Sequence, residues 1–407
     1  MNYFKVVNNN ENVSLPFGCK AFGVGLTDSK INDLFSRWSS FANDINVILV
    51  LAGSKTAEVK GISAAGATVE SRKFTALADA ELFLKGPGAS TWPLPPLIAG
   101  VSPALISYVS SKLLNLDPMV FGIGLYEVPS YPFIPVEFPY QGPANCVSTG
   151  KAMSIERVED LWEKGLSMGR ELGKPLVLTE CVPGGTTTAL AVLMGLGISA
   201  GEWVSGSIRT PPIELKRTLV DCGLKRGGIG PHSLPKPLLA AIGDPFQPFA
   251  TGLLIGARQS GLPVLLGGGS QMLAVLALAL SSIDFQLREK FLDQVVVATT
   301  AWLAEESPSD VQPQSSLFKL ISLIGEFYGL DVWGISSGLR FKSSSKKALY
   351  DYELGYIKEG VGAGVLSLLA QVNGISCNDL INECEFALDQ LNNQNSHKNP
   401  RLIKSKK

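Results

Sequence analysis

Residues 175–197 read PLVLTECVPGGTTTALAVLMGLG, and this stretch decides the fold class. Pro175 to Leu178 is a short apolar run of the buried-strand kind. Pro183-Gly184-Gly185-Thr186-Thr187-Thr188 then breaks it, and a helix-forming segment begins at Ala189. In a strand, turn and helix unit, the N–H groups of the turn and the first unpaired N–H groups of the helix converge on one spot. The helix dipole favours negative charge there, so the spot suits a phosphate. The spacing matches neither G-x-x-x-x-G-K-[ST] nor G-x-G-x-x-G, and a turn that merely caps its helix has the same composition. Glu180 favours the ligand site: it is an ionisable group at a strand's carboxyl end, where open α/β sheets bind their ligands.

The same unit recurs outward from this stretch. Ile45–Ala52 (INVILVLA) is a buried strand ending in Gly53-Ser54-Lys55-Thr56, where Lys55 is either a solvated lysine or a ligand group. Met119–Leu125 is another strand, followed by a proline-rich run and a turn over residues 142–150. Pro263–Leu266, Gly267-Gly268-Gly269-Ser270 and Gln271–Ser281 repeat strand, turn and helix, and Val295–Thr300 is a last short strand. Helices are expected over Ile31–Phe41 with Asp28 as N-cap, over Leu105–Leu114, from Ser154 to Leu172, and over Glu214–Lys225. The segment from Leu82 to Ile98 carries four prolines and reads as a structured loop. The expected fold class is α/β: a doubly wound, mainly parallel sheet with helices on both faces, plus a small helical lobe from the chain ends. Residues 45–335 would form the nucleotide-binding core, residues 1–44 with 336–391 the helical lobe that completes the site, and residues 392–407 a disordered basic tail.

Composition narrows the chemistry. The chain has 407 residues, 45% hydrophobic and 17% charged, with 42 glycines, which fits a sheet buried on both faces and joined by tight turns. A net charge of -1 gives no pull toward nucleic acid or an anionic membrane. The most apolar window, Leu262–Leu280, contains Pro263, three glycines and Gln271, which argues against a membrane span. Six scattered cysteines without a C-x-x-C pair read as reduced thiols of a cytoplasmic protein. Of the two histidines, His397 lies in the polar tail, so a hydrolytic triad or metal site would rest on His232 alone. Acid–base work therefore falls mainly to carboxylates. Besides Glu180, the candidate is Glu359, held between the apolar Leu354–Ile357 and the glycines of Gly360-Val361-Gly362-Ala363-Gly364. Little solvent there would raise its pKa toward the range of a general base, whereas exposure beside Lys358 would leave it ordinary.

Four segments in order resemble a known family. TECVPGGTTTALAVL (179–193) resembles the G-E-x-G-x-x-N-T-T segment of the nicotinate-nucleotide:dimethylbenzimidazole phosphoribosyltransferases. GPANCVSTGKAMS (142–154) is similar to their R-G-x-x-N-I-A-x-G-P-A-M segment. Residues 242–278 follow their glycine-rich strand and helix, and IKEGVGAGVLSLL (357–369) resembles R-L-G-E-G-[ST]-G-A-A-L. The resemblance spans residues 45–372 and is closest to a divergent branch of that superfamily found in archaea and cyanobacteria. It implies a soluble homodimer, without cofactor or metal, that moves the ribose phosphate of nicotinate mononucleotide to an aromatic base and releases nicotinate. It makes Glu359 the general base, with Glu180, Gly184, Gly185, Thr186 and Thr187 at the nucleotide. Gly268, Gly269, Ser270, Gly360 and Gly362 would be further substrate contacts. The departures fall on the acceptor side: the family's A-D-H-G-V is Ala52-Gly53-Ser54-Lys55-Thr56, its G-G-F-[DE] is Gly243-Asp244-Pro245-Phe246-Gln247, and its L-D-G-F is Leu266-Gly267-Gly268-Gly269. By position, Ser54, Lys55 and Gln247 would form the acceptor pocket.

Overall fold

The computed structural model describes residues 4–398 except 11, 64, 89, 139–140, 207 and 308–313, with side chains described to residue 393. One sheet organises it. Strands β1 (Phe4–Val7), β2 (Lys20–Val24), β3 (Asn46–Ala52), β4 (Met119–Ile123), β5 (Ile134–Pro135), β6 (Leu176–Cys181), β7 (Val264–Gly267), β8 (Val295–Thr299) and β9 (Trp333–Ser336) lie in the order β1-β2-β9-β8-β7-β6-β3-β4-β5. From β9 to β5 every pairing is parallel, while β1 and β2 add antiparallel strands at one edge.

Because both faces are covered, the central strands are apolar except toward their ends, where Asn46, Thr179, Glu180 and Thr299 stand. Ile48, Val50 and Ala52 of β3 enter one core, and Val47, Leu49 and Leu51 enter the other; Val264 and Leu266 of β7 likewise oppose Leu265. This is the signature of a parallel sheet between two helical layers. The helices are α1 (Asp28–Phe41), α2 (Val69–Lys85), α3 (Ala104–Leu113), α4 (Ile155–Glu171), α5 (Gly185–Leu196), α6 (Ile213–Gly227), α7 (Pro235–Ile242) and α8 (Phe246–Gln259). They continue as α9 (Ser270–Ser282), α10 (Arg288–Leu292), α11 (Ala301–Ala304), α12 (Ser316–Tyr328), α13 (Lys347–Tyr350), α14 (Ala363–Val372) and α15 (Cys377–Lys398). Helices α4, α5, α7, α8, α9 and α12 share the first core, and α1, α2, α3, α14 and α15 the second. The helices after β3 cover one face and those after β6 the other, so the winding reverses between these two neighbouring strands. The carboxyl ends of strands at such a reversal leave a crevice.

The doubly wound fold is as expected, with local differences. The chain ends do supply helices, but these pack on the sheet's own face, and residues 4–24 also supply β1 and β2. Alternation is blurred in those strands because β1 is half solvated and β2 carries Gly23 against Trp333. The N-cap of α1 is Thr27, whose hydroxyl accepts from Lys30 N at 3.2 Å, and not Asp28. Helix α5 starts at Gly185, four residues before Ala189. The last helix runs to Lys398, so residues 392–398 of the expected tail are helical, and residues 399–407 lie outside the described residues.

Helices α4 and α8 meet backbone to backbone. A Cβ on Gly252 would lie 2.2 Å from the Trp162 carbonyl oxygen, and one on Gly165 would lie 2.1 Å from that of Phe249. No side-chain rotation relieves a clash with backbone. Gly252→Val is therefore expected to cost at least the upper part of the roughly 1–3 kcal/mol typical of overpacking. A lowered urea midpoint at constant slope would show it, and an unchanged midpoint would mean that the helices are not in this close contact.

Candidate active site

The carboxyl ends of β6, β7 and β8 open into a cleft of about 370 Å³. Part of its lining is built from helix starts. Gly184, Gly185 and Thr186 lead into α5, and Gly269 and Ser270 lead into α9; neither helix has a side-chain cap, and although Gly185 N and Thr187 N of α5 donate to the carbonyls of Val182 and Gly184, both helix starts line the cleft. Gly184 has φ +78°, the left-handed conformation that a side chain disfavours. At Gly185 a Cβ would lie 2.2 Å from Gln271 Oε1. Two helix N-termini aimed at one space make an anion site.

Beneath this loop lies a buried cation that the sequence reading did not single out. Lys216 of α6 is fully buried; its Nζ donates to Thr186 Oγ1 at 2.9 Å and to the Ser205 carbonyl. Burial pulls its pKa down to about 7, Glu306 opposes that pull, and the neighbouring Lys358 adds to it. Lys358 is itself buried, paired with Glu306 at 2.5 Å and bonded to the carbonyls of Gly206 and Ile208, two residues that line the cleft. Next to Arg217 in a basic helix, Lys216 reads as a solvated lysine. Only the packing shows that it points inward.

Two carboxylates face the cleft. Glu359 lies between Lys358 and Gly360 in the loop before α14, and it is held by four donors. Its Oε2 accepts from Thr299 Oγ1 at 2.8 Å and Thr300 N at 2.7 Å, and its Oε1 accepts from Gly360 N and Gly364 N, each at 3.1 Å. Burial raises its pKa above the usual carboxylate range, and these hydrogen bonds pull the other way. Glu180 has fewer partners: Val182 N donates to Oε2 at 2.8 Å, and the Gln271 amide adds a second bond. Burial, reinforced by the charges of Asp244 and Glu359, pushes its pKa up to about 8. Glu180 is thus still protonated at neutral pH, whereas the four donors on Glu359 favour its charged form. A pair split in this way can supply both a base and a hydrogen-bond donor.

Of the residues expected from sequence, Glu180, Gly184, Gly185, Thr186, Gly269, Ser270, Glu359 and Gly360 line the cleft together. Thr187, Gly268 and Gly362 lie just behind it: Thr187 is buried in the first turn of α5, and Gly362 packs on Thr179. Ser54, Lys55 and Gln247 do not line it. Ser54 is buried as the cap of a short helical turn, with its hydroxyl on Thr56, and Lys55 Nζ reaches Asn145 Oδ1 at 3.1 Å. Gln247 closes the first turn of α8 with Asp244. Each has a local hydrogen-bond partner of its own. The cleft also has an apolar lining that includes Leu94, Leu97, Val101, Ile357 and Leu388, and the polar groups Asp79, Ser102 and Cys181. Among the described residues, no group of acidic, cysteine and histidine side chains is arranged to hold a metal ion, and no helix is long and apolar enough to cross a membrane.

Comparison with known proteins agrees with this architecture. Residues 113–292 match a family model described as Phosphoribosyltransferase. A UPF0284 protein of Prochlorococcus marinus (strain MIT 9313) is 52% identical over 93% of this chain and 94% of its own length. One from Crocosphaera subtropica is 38% identical over 84% of this chain and 92% of its own. Among solved structures, the nicotinate-nucleotide-dimethylbenzimidazole phosphoribosyltransferase of Thermus thermophilus aligns with a TM-score of 0.52 at 17% identity, covering 84% of this chain and 83% of its own. CobT from the same organism aligns with a TM-score of 0.54 at 18% identity, covering 85% and 89%. The chain belongs to the UPF0284 family.

Proposed function

We propose that this protein moves the ribose phosphate of nicotinate mononucleotide to the ring nitrogen of an aromatic base, releasing nicotinate, as in building the lower-ligand nucleotide of a cobamide. The observation that carries this reading is the cleft itself, lined together by the starts of α5 and α9, by apolar side chains and by the carboxylates Glu180 and Glu359. The phosphate sits on the N-termini of α5 and α9, and Lys216 below Thr186 takes up a proton as the dianion arrives. A lone pair of the acceptor nitrogen attacks C1′ while the C1′–N bond to the pyridinium breaks, and its electron pair returns to the pyridine ring. The leaving group thus departs neutral at the ring, which is why positioning and one proton transfer suffice.

The proton lost by the acceptor goes to Glu359. Three of the four donors on this carboxylate are backbone N–H groups that cannot turn, but the Thr299 hydroxyl rotates freely and can release Oε2. Glu180, protonated near neutral pH, donates a hydrogen bond to the ribose or the leaving nitrogen. The direct test mixes the pure protein with nicotinate mononucleotide and a panel of azoles, purines and phenols, and follows nicotinate release and nucleoside phosphate products by mass. Release that depends on an added base is expected. Tight nucleotide binding with no release for any base would instead make the protein a nucleotide-binding member of the fold.

A further inference from the structure

We propose that Asp79 selects the acceptor, so that the transferred base is one that carries a hydrogen-bond donor, an exocyclic amino or hydroxyl group, on the edge away from its attacking nitrogen. The inference rests on the transfer reading above and narrows it from aromatic bases at large to this class. Asp79 lies on α2, is 6% exposed, and lines the same cleft as Glu180 and Glu359, whose lining also includes Leu94, Leu97 and Val101. Ser102 Oγ donates to Oδ1 at 2.7 Å, and the Cys181 thiol makes only a weak contact with Oδ2 at 3.7 Å. A carboxylate offers about four acceptor positions, so the two bonds leave capacity at the cleft wall. A base whose outer edge is hydrocarbon would cover these positions without satisfying them, at a cost characteristic of a buried unpaired polar group. An amino or hydroxyl group meets them instead. Among the described residues no cation pairs with Asp79, so within the pocket the charge is answered only by donors.

The experiment compares bases that differ by one donor: purine against 6-aminopurine, and benzimidazole against 5-hydroxybenzimidazole, each with nicotinate mononucleotide. A hydrogen bond to a charged group is worth enough to favour the donor-bearing member by about 10–100-fold in kcat/KM. In Asp79→Leu that ratio should fall to about one, and in Asp79→Asn, which keeps the shape and loses the charge, to an intermediate value. Equal kcat/KM within each pair in the wild-type protein overturns the inference and leaves the transfer reading standing. If no base releases nicotinate, the transfer reading fails, and calorimetric binding of the same pairs to the nucleotide-loaded protein decides the inference separately. A tenfold preference in Kd that Asp79→Leu abolishes upholds it, and equal Kd values overturn it.

Discussion

Glu359→Gln is expected to slow nicotinate release by about 10²–10⁴-fold, the usual worth of a general base, while nicotinate mononucleotide still binds. The substitution also has a structural cost that separates this carboxylate from an ordinary one. Both oxygens of Glu359 are occupied by donors, Thr299 and Thr300 on one and Gly360 and Gly364 on the other. An amide has only one oxygen, so its NH₂ must face one of these pairs. Facing the Thr299 side is the better choice, because a hydroxyl can turn and accept, but the Thr300 N–H is then left without a partner. The loss is roughly 1–3 kcal/mol for one buried orphan donor, read as a lowered melting temperature. Helix α14 cannot move away to relieve it: a Cβ on Gly364 would lie 2.1 Å from the Thr299 carbonyl carbon, so the two backbones are already in contact. A folded Glu359→Gln protein with wild-type turnover would remove Glu359 from the proton transfer.

The parts of this site that were legible in the sequence are those where backbone and chemistry coincide. Glycines beside a strand end mark a place where the chain comes close to a ligand, and Glu180 and Glu359 stand beside such glycines, so both carboxylates and the 184–186 loop could be named from spacing and resemblance. The sheet was legible because strands buried on both faces carry continuous apolar runs. Helix α2 was not, because it is enclosed on several sides and buries Arg72, Asp79 and Glu81 among its apolar residues, which leaves no apolar stripe to read. Arg72 is satisfied by the carbonyls of Ala57, Val59 and Gly66, in the helical turn and loop between β3 and α2, whose positions no sequence pattern reveals. Asp79 was lost with the helix. Ser54, Lys55 and Gln247 stand apart from the cleft for a related reason: positional correspondence put them at the site, and each has a hydrogen-bond partner nearby, Ser54 and Gln247 within their own turns and Lys55 on Asn145. A correspondence of position fixes where a backbone runs, and local hydrogen bonding then decides where the side chain goes.

Glu180→Gln is expected to change the pH dependence of the reaction more than its rate at neutral pH. The wild-type rate should rise as Glu359 ionises and fall as Glu180 loses its proton near pH 8, with both limbs belonging to the coupled pair. Glutamine keeps a donor at position 180 at every pH. Its oxygen can accept from Val182 N, and its NH₂ can donate to Gln271 once that carboxamide, whose Oε1 has no partner, turns over. The variant should therefore lose the alkaline limb and, at pH 9, retain about tenfold more of its maximal rate than the wild type retains. Stability gives an independent reading of the same shift. A carboxyl whose folded pKa of about 8 lies above its ordinary 4.5 contributes stability that is present below 4.5 and is lost as pH rises through 8. Glu180→Gln removes that loss, so the variant should melt higher than the wild type by a margin that grows from pH 5 to pH 8 and then levels off. The full loss amounts to a few kcal/mol, reduced by whatever water the cleft admits. A variant that keeps the alkaline limb, with a melting-temperature difference independent of pH, would show that Glu180 is ionised throughout, and the division of labour between the two carboxylates would fall.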